Sequence, residues 1–226
     1  FNEKFSKNHL IVLGINNFVN YNNLEDKKYF NSLVILNHEL EIISIYNKVK
    51  LVPFGEFLPF EKFLSSFGLK KITKGYNSFS SGASRNLINL GNKFNERLIL
   101  PLICYEIIYT GNIKTKNQFP DLTINISEDA WFGQSIGPNQ HFTKAVYRSI
   151  EEGIFIARSA NRGISAFIDP NGKLLKFLNR SESGNVEYKM PQYNGSTIFS
   201  MYGNRIFFFI ILVYIFLVFI FKKLKI

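Results

Sequence analysis

Along most of the chain, apolar residues come in short runs broken by polar turns, the pattern of strands rather than long helices. Residues 9–14 (HLIVLG) predict a short buried strand running into polar Asn16 and Asn17. Residues 31–36 and 41–46 are β-rich and flank Asn37-His38-Glu39, which predicts a hairpin. Residues 86–90 and 97–104 make a second pair joined around Gly91-Asn92, and 122–126 is an apolar strand ending at Ser127. The period then changes. Phe142, Ala145, Val146, Ile150, Gly153, Ile154 and Ala157 recur at helical spacing, with Lys144, Arg148, Glu151 and Glu152 mostly off that stripe. Residues 163–168 and 173–178 are again strands, joined by the turn sequence Asp169-Pro170-Asn171-Gly172. Strand pairs interspersed with helices predict a mixed α/β sandwich.

Residues 206–221 (IFFFIILVYIFLVFIF) break this rhythm with an unbroken apolar run flanked by Arg205, Lys222 and Lys223. Sixteen residues reach ~24 Å as a helix, slightly short of a ~30 Å hydrocarbon core. Residues 201–204 and snorkelling lysines close that gap, so a membrane-spanning helix is expected over about 204–222. Lys222, Lys223 and Lys225 predict a cytoplasmic C-terminus, with the preceding domain on the opposite, periplasmic side. The opening FNEKF, with no initiator Met and no earlier spanning segment, points to an N-terminal portion upstream.

The 226 residues, 46% hydrophobic and 19% charged, suit one domain over 1–195, followed by linker, spanning helix and basic tail over 196–226. The net charge of +10 is spread without an Arg-rich run, and its densest patch follows the apolar run. That favours a bilayer partner over nucleic acid. One cysteine excludes an intramolecular disulfide. No His/Cys/Asp cluster has metal spacing and no Gly-rich phosphate loop is present, so neither metal nor cofactor is expected.

Three clusters carry candidate chemistry: residues 46–56 (YNKVKLVPFGE), 103–106 (ICYE) and 127–133 (SEDAWFG), the last followed by Gly137-Pro138 and His141. A cysteine ending an apolar strand is rigidly held, and the following turn exposes a backbone N–H able to donate to an oxyanion. A free thiol is mostly protonated at neutral pH, so a nucleophilic cysteine needs a nearby cation. Lys48 or Lys50 could supply it, oriented by Glu56 or Glu106. Taken alone, each signal is more often that of a structural residue: a buried small thiol, a solvated lysine, a turn.

Together the clusters resemble the nitrilase superfamily, with its Glu-Lys-Cys triad, and within it the apolipoprotein N-acyltransferase family. The likeness runs in order through Lys-x-x-Leu-Val-Pro-Phe-Gly-Glu, Cys-Tyr-Glu, Asp-Ala-Trp-Phe-Gly, Gly-Pro-x-Gln-His-Phe, Arg-Ser-Ala-Asn-Arg-Gly-Ile-Ser and the final helix. It implies an α-β-β-α sandwich, incomplete at its N-terminus, with Cys104 as nucleophile and Lys48 as triad lysine. Lys50 then falls on a non-catalytic position. Glu56 is implied as an accessory carboxylate, Tyr105 as oxyanion N–H donor, Glu106 as support, Trp131 and Phe132 as site lining, and Asn161 and His141 as structural. The implied reaction is ping-pong. A phospholipid ester acylates the thiol, and the α-amine of a diacylglyceryl-cysteine lipoprotein takes the acyl group, at the bacterial inner membrane. Phe54, Phe57, Leu58, Phe60, Phe63, Leu64 and Phe67 are either a bilayer-touching lid or core packing.

Two departures stand out. The triad glutamate belongs in a Pro-Glu motif well upstream of residues 10–14, and Glu3 is too close to that strand to fill the role. A partner chain carrying that portion, or a non-catalytic remnant, is the alternative this raises. The family also usually has Asn where Glu128 stands, which adds a carboxylate beside the site.

Overall fold

The computed structural model describes residues 5–20, 27–68, 78–111, 118–191, 193 and 195–223; Glu3 and Lys225 lie outside them. Two sheets stack face to face. The first is an antiparallel meander of β1 (Ile11–Asn20), β2 (Lys27–Leu36) and β3 (Ile42–Asn47). The second has six strands in sequence order: β4 (Ile88–Asn89), β5 (Leu98–Ile103), β6 (Leu122–Glu128), β7 (Phe155–Asn161), β8 (Ser165–Ile168) and β9 (Leu174–Leu178). β5, β6 and β7 run parallel at its centre, with antiparallel strands outside them. β5 is buried on both faces, which explains its continuous apolar run. Its Pro101 lies beyond the two-residue pairing with β4, where a missing N–H breaks no ladder on that side.

Two apolar layers hold these sheets. Between them lie Leu33, Ile35, Tyr46 and Ile103, with Val12, Val49, Ile124, Ile126 and Cys104 packed against them. On the far side of the second sheet, Leu100, Leu102, Ile156 and Ile168 pack on Phe142 and Ala145 of an outer helix. The outer face of the first sheet is barer: Ile43 and Ile45 are each about half exposed.

The helical stripe expected through Ala157 is shorter than its periodicity suggests. Two short helices aside, α1 (Glu61–Ser66) before it and α3 (Ile198–Tyr202) after it, the main helix α2 spans Gly137–Glu152, with Pro138 in its first turn. Gly153 ends it in a left-handed conformation (φ 65°) that a β-carbon would strain. Ile154 and Ala157 therefore belong to the turn and to β7, the central strand that periodicity hid inside the helix. The Asp169–Gly172 turn joins β8 and β9, with the Asp169 side chain accepting from the Asn171 and Lys173 amides.

The last element, α4 (Arg205–Lys223), has 19 residues, a mean hydropathy of 2.6 and no buried residue. It is long and apolar enough to cross a membrane. Its root is tied down by Asn204, whose amide donates to the Thr110 carbonyl, and by the Thr197 hydroxyl, which donates to the Glu151 carbonyl. α4 thus departs from the C-terminal end of α2.

Candidate active site

Cys104 follows β5 directly and opens a 3-10 turn, Cys104–Ile108, with φ of 51°. A non-glycine residue in this region is strained, and such strain recurs at functional sites. The reversal breaks the alternation of the strand. Ile103 and Cys104, neighbours in sequence, both pack against the inter-sheet cluster, and the thiol is only partly buried.

Lys48 and Lys50, open alternatives in sequence, are sharply distinguished. Lys48 is 1% exposed, and its ammonium donates to both Glu56 oxygens at 2.9 and 2.8 Å. Lys50 is exposed, its ammonium 5.9 Å from the centre of the Tyr109 ring. Glu56 also accepts from Asn31 Nδ2 at 2.7 Å and the Val52 amide at 2.8 Å. The Pro-Phe-Gly-Glu turn therefore exists to bring a carboxylate back onto a lysine eight residues earlier.

Glu106, fully buried, connects the lysine strand to the cysteine strand. One oxygen accepts from Tyr46 Oη and the Val49 and Lys50 amides at 2.8–3.1 Å, the other from the Ile103 amide at 2.9 Å. It therefore clamps the segment after Lys48 to the residue before Cys104, bringing both to one end of the sandwich. Burial, and after it the Glu106 charge, push the Tyr46 phenol well above its ordinary pKa, so Tyr46 remains a donor.

A second charged cluster lies on the other side of Cys104. Asp129 is fully buried, with Ser127 Oγ and His141 Nδ1 at 2.6 and 2.9 Å from one oxygen and an Arg158 nitrogen at 2.7 Å from the other. Arg158 also donates to Asn125, and Asn125 to the Leu102 carbonyl. His141 Nε2 donates to the Cys104 carbonyl at 3.2 Å. Burial alone would raise the Asp129 pKa, but the His141 hydrogen bond, the Arg158 charge and the Ser127 hydroxyl outweigh it and hold it at about 2. Burial pulls the Arg158 guanidinium below its ordinary value, opposed by the Asp129 charge. His141 thus sits where a structural hydrogen-bonder was expected. Asp129 and Arg158 fell inside motifs noted in the sequence but were given no role there, and Asn125 was not picked out. The one available signal was the polar pair Asn125 and Arg158 inside apolar strands.

Trp131 is 67% exposed and Phe132 37%, both in the 3-10 turn Asp129–Phe132 at the end of β6. The Phe132 ring lies 5.7 Å from that of His141. Tyr105, partly buried, follows Cys104 in its turn with its ring edge-on to Tyr109. In the stretch 54–67, Leu58 is buried, whereas Phe54, Phe60, Phe63 and Phe67 are 47–84% exposed. That segment is not ordinary core. Among the described residues, no three His, Cys, Asp or Glu gather as a metal site.

The two-sheet sandwich that carries this thiol and lysine–glutamate pair has counterparts among known proteins. The carbon–nitrogen hydrolase family profile matches residues 6–196, and the chain belongs to that family. Its curated relatives carry a narrower name. It is 38% identical over 175 residues to the apolipoprotein N-acyltransferase of Rhodopseudomonas palustris (77% of this chain, 32% of the relative). It is 40% identical over 164 residues to that of Rhizobium etli (71% and 29%). The chain spans about a third of the length of these relatives. Among solved structures, a cysteine variant of the Nesterenkonia sp. AN1 amidase, from the nitrilase superfamily, superposes with a TM-score of 0.50 at 16% identity (76% of this chain, 58% of that one). That likeness shows the shared nitrilase fold.

Proposed function

We propose that this chain carries the acyl-transfer site of an apolipoprotein N-acyltransferase. Cys104 takes an acyl chain from a phospholipid as a thioester. The α-amine of a diacylglyceryl-cysteine lipoprotein then removes it. The observation that carries this reading is the Glu106 clamp, which brings the Lys48–Glu56 pair and the turned-out Cys104 to one end of the sandwich. A lysine ammonium there stabilises charge developing on the acyl carbonyl oxygen. The Tyr105 amide, one residue past the nucleophile, is the second oxyanion donor in this reading, and Trp131 and Phe132 line the acyl path.

Lipid substrates are supported by α4, as an inner-membrane anchor with a cytoplasmic C-terminus, and by the outward phenylalanines 54, 60, 63 and 67 as a bilayer-facing lid. The domain faces the periplasm in this arrangement. Glu56 and Glu106 are each engaged by several donors, so the general base is assigned to neither.

The test is mass spectrometry of the gene product incubated with phospholipid vesicles. A lipid-derived thioester on Cys104 is expected, absent in Cys104→Ser; failure to trap any acyl adduct would remove the enzyme reading. The half-exposed Ile43 and Ile45 favour a second reading, a subunit whose first sheet is covered by a partner carrying the base. Activity appearing only on adding such a partner would select it.

A further inference from the structure

Glu128 is an exposed carboxylate at the end of β6, on the strand face that leads to Cys104. Ile103 of β5 is in register with Ile126 of β6, and Ile124 and Ile126 pack in the same inter-sheet cluster as Cys104. Two residues further on, strand alternation returns Glu128 to that face at its open end. Its carboxylate is held in place: Oε1 accepts from the Ala130 amide at 3.0 Å and Oε2 from Asn161 Nδ2 at 2.7 Å. A carboxylate accepts about four hydrogen bonds, so this one retains capacity. Among the described residues, the carboxylates nearest Cys104 besides Glu128 are committed: Glu56 to Lys48, Glu106 to four donors, Asp129 to Arg158, His141 and Ser127.

Building on the proposed acyl transfer, we infer that Glu128 is the acceptor-binding carboxylate. It holds the incoming α-ammonium by a charge-assisted hydrogen bond and takes one of its protons, freeing the nitrogen lone pair. The amine attacks the thioester carbonyl, the C–N bond forms and the C–S bond breaks. The second proton lost by nitrogen goes to the departing sulfur, restoring the thiol. The proton on Glu128 passes to solvent.

A neutral nucleophile needs neither service. The gene product in phospholipid vesicles, acylated on Cys104, is challenged either with a diacylglyceryl-cysteine peptide or with hydroxylamine. In Glu128→Gln, the rate of transfer to the peptide relative to hydroxylamine should fall about tenfold or more, the scale of one hydrogen bond to a charged group. Glu128→Asn, which keeps an acceptor oxygen for the Ala130 amide, should show the same fall, and Glu128→Asp should recover part of it. Equal slowing of both nucleophiles would make Glu128 a purely structural cap of the following turn, and an unchanged ratio would also overturn the inference. Absence of any thioester in the unsubstituted protein would instead remove the acyltransferase reading on which this one stands.

Discussion

Two buried ion-pair clusters flank Cys104, and they are built in opposite ways. On one side, Lys48 and Glu56 stand eight residues apart and meet through a single turn. On the other, Asn125, Asp129, His141 and Arg158 come from β6, the turn after it, α2 and β7. The first cluster puts an ammonium at the sheet ends and leaves the thiol partly open. The second reaches Cys104 through its carbonyl, by way of His141, and through the nearby charge of Arg158. In the proposed acyl transfer the local cluster supplies the ammonium, and the dispersed one bonds the carbonyl of the backbone reversal that presents the thiol.

That division can be broken or sharpened experimentally. The largest expected effect is on Lys48: Lys48→Met should slow thioester formation by ~10²–10³, the usual scale for removing one oxyanion-stabilising donor. Single-turnover assays with labelled phospholipid read it directly. Arg158→Met should instead act on stability, costing about 3–5 kcal/mol because Asp129 would remain buried without its cation. Denaturant unfolding in detergent checks it. If the folded fraction of Arg158→Met lost as much acylation rate as Lys48→Met, the division between the clusters would collapse.

A smaller effect is the acid sensitivity of the dispersed cluster. The Asp129 carboxyl titrates at about 2 in the folded chain against an ordinary 3.8. Because the folded value is the lower one, this group's stabilisation is present above pH ~4 and disappears as pH falls toward 2, about 2 kcal/mol in all. Unfolding free energy measured across that window should show the slope, and Asp129→Asn should flatten it. Smallest in stability is the phenylalanine segment: Phe60→Ser with Phe63→Ser should change unfolding by no more than about 0.5 kcal/mol per site, as for ordinary surface positions. Turnover on intact vesicles should nevertheless fall more than turnover on detergent-dispersed phospholipid. An equal loss in both would argue against a bilayer-facing lid.

Much of this was legible in the chain itself. The β2–β3 hairpin, the β8–β9 turn and the apolar α4 follow from local alternation, turn chemistry and run length, whereas β1 is a ten-residue, half-exposed strand paired with β2 rather than the short buried one expected over 9–14. β7 was not legible, because Ile154 and Ala157 fall on the helical stripe, and only the left-handed Gly153 separates strand from helix. The lid segment was ambiguous for a related reason. Periodicity says which residues share a face, but not whether that face is covered, and here Phe60 and Phe63 are left open.

The sequence by itself offered Cys104 as the nucleophile, with Lys48 or Lys50 and Glu56 or Glu106 beside it, and the resemblance carried by its motifs singled out Lys48 and Glu56. The sequence also determined a helix able to cross a bilayer, since an eighteen-residue stretch with a mean hydropathy of 2.6 needs no partner to be recognised. Only the tertiary structure withdrew Lys48 onto Glu56 while leaving Lys50 in solvent, made Glu106 the clamp joining two sheets, and assembled Asp129, His141 and Arg158. Those choices depend on which charges are withdrawn from water together, a property of burial and long-range register that no local pattern encodes.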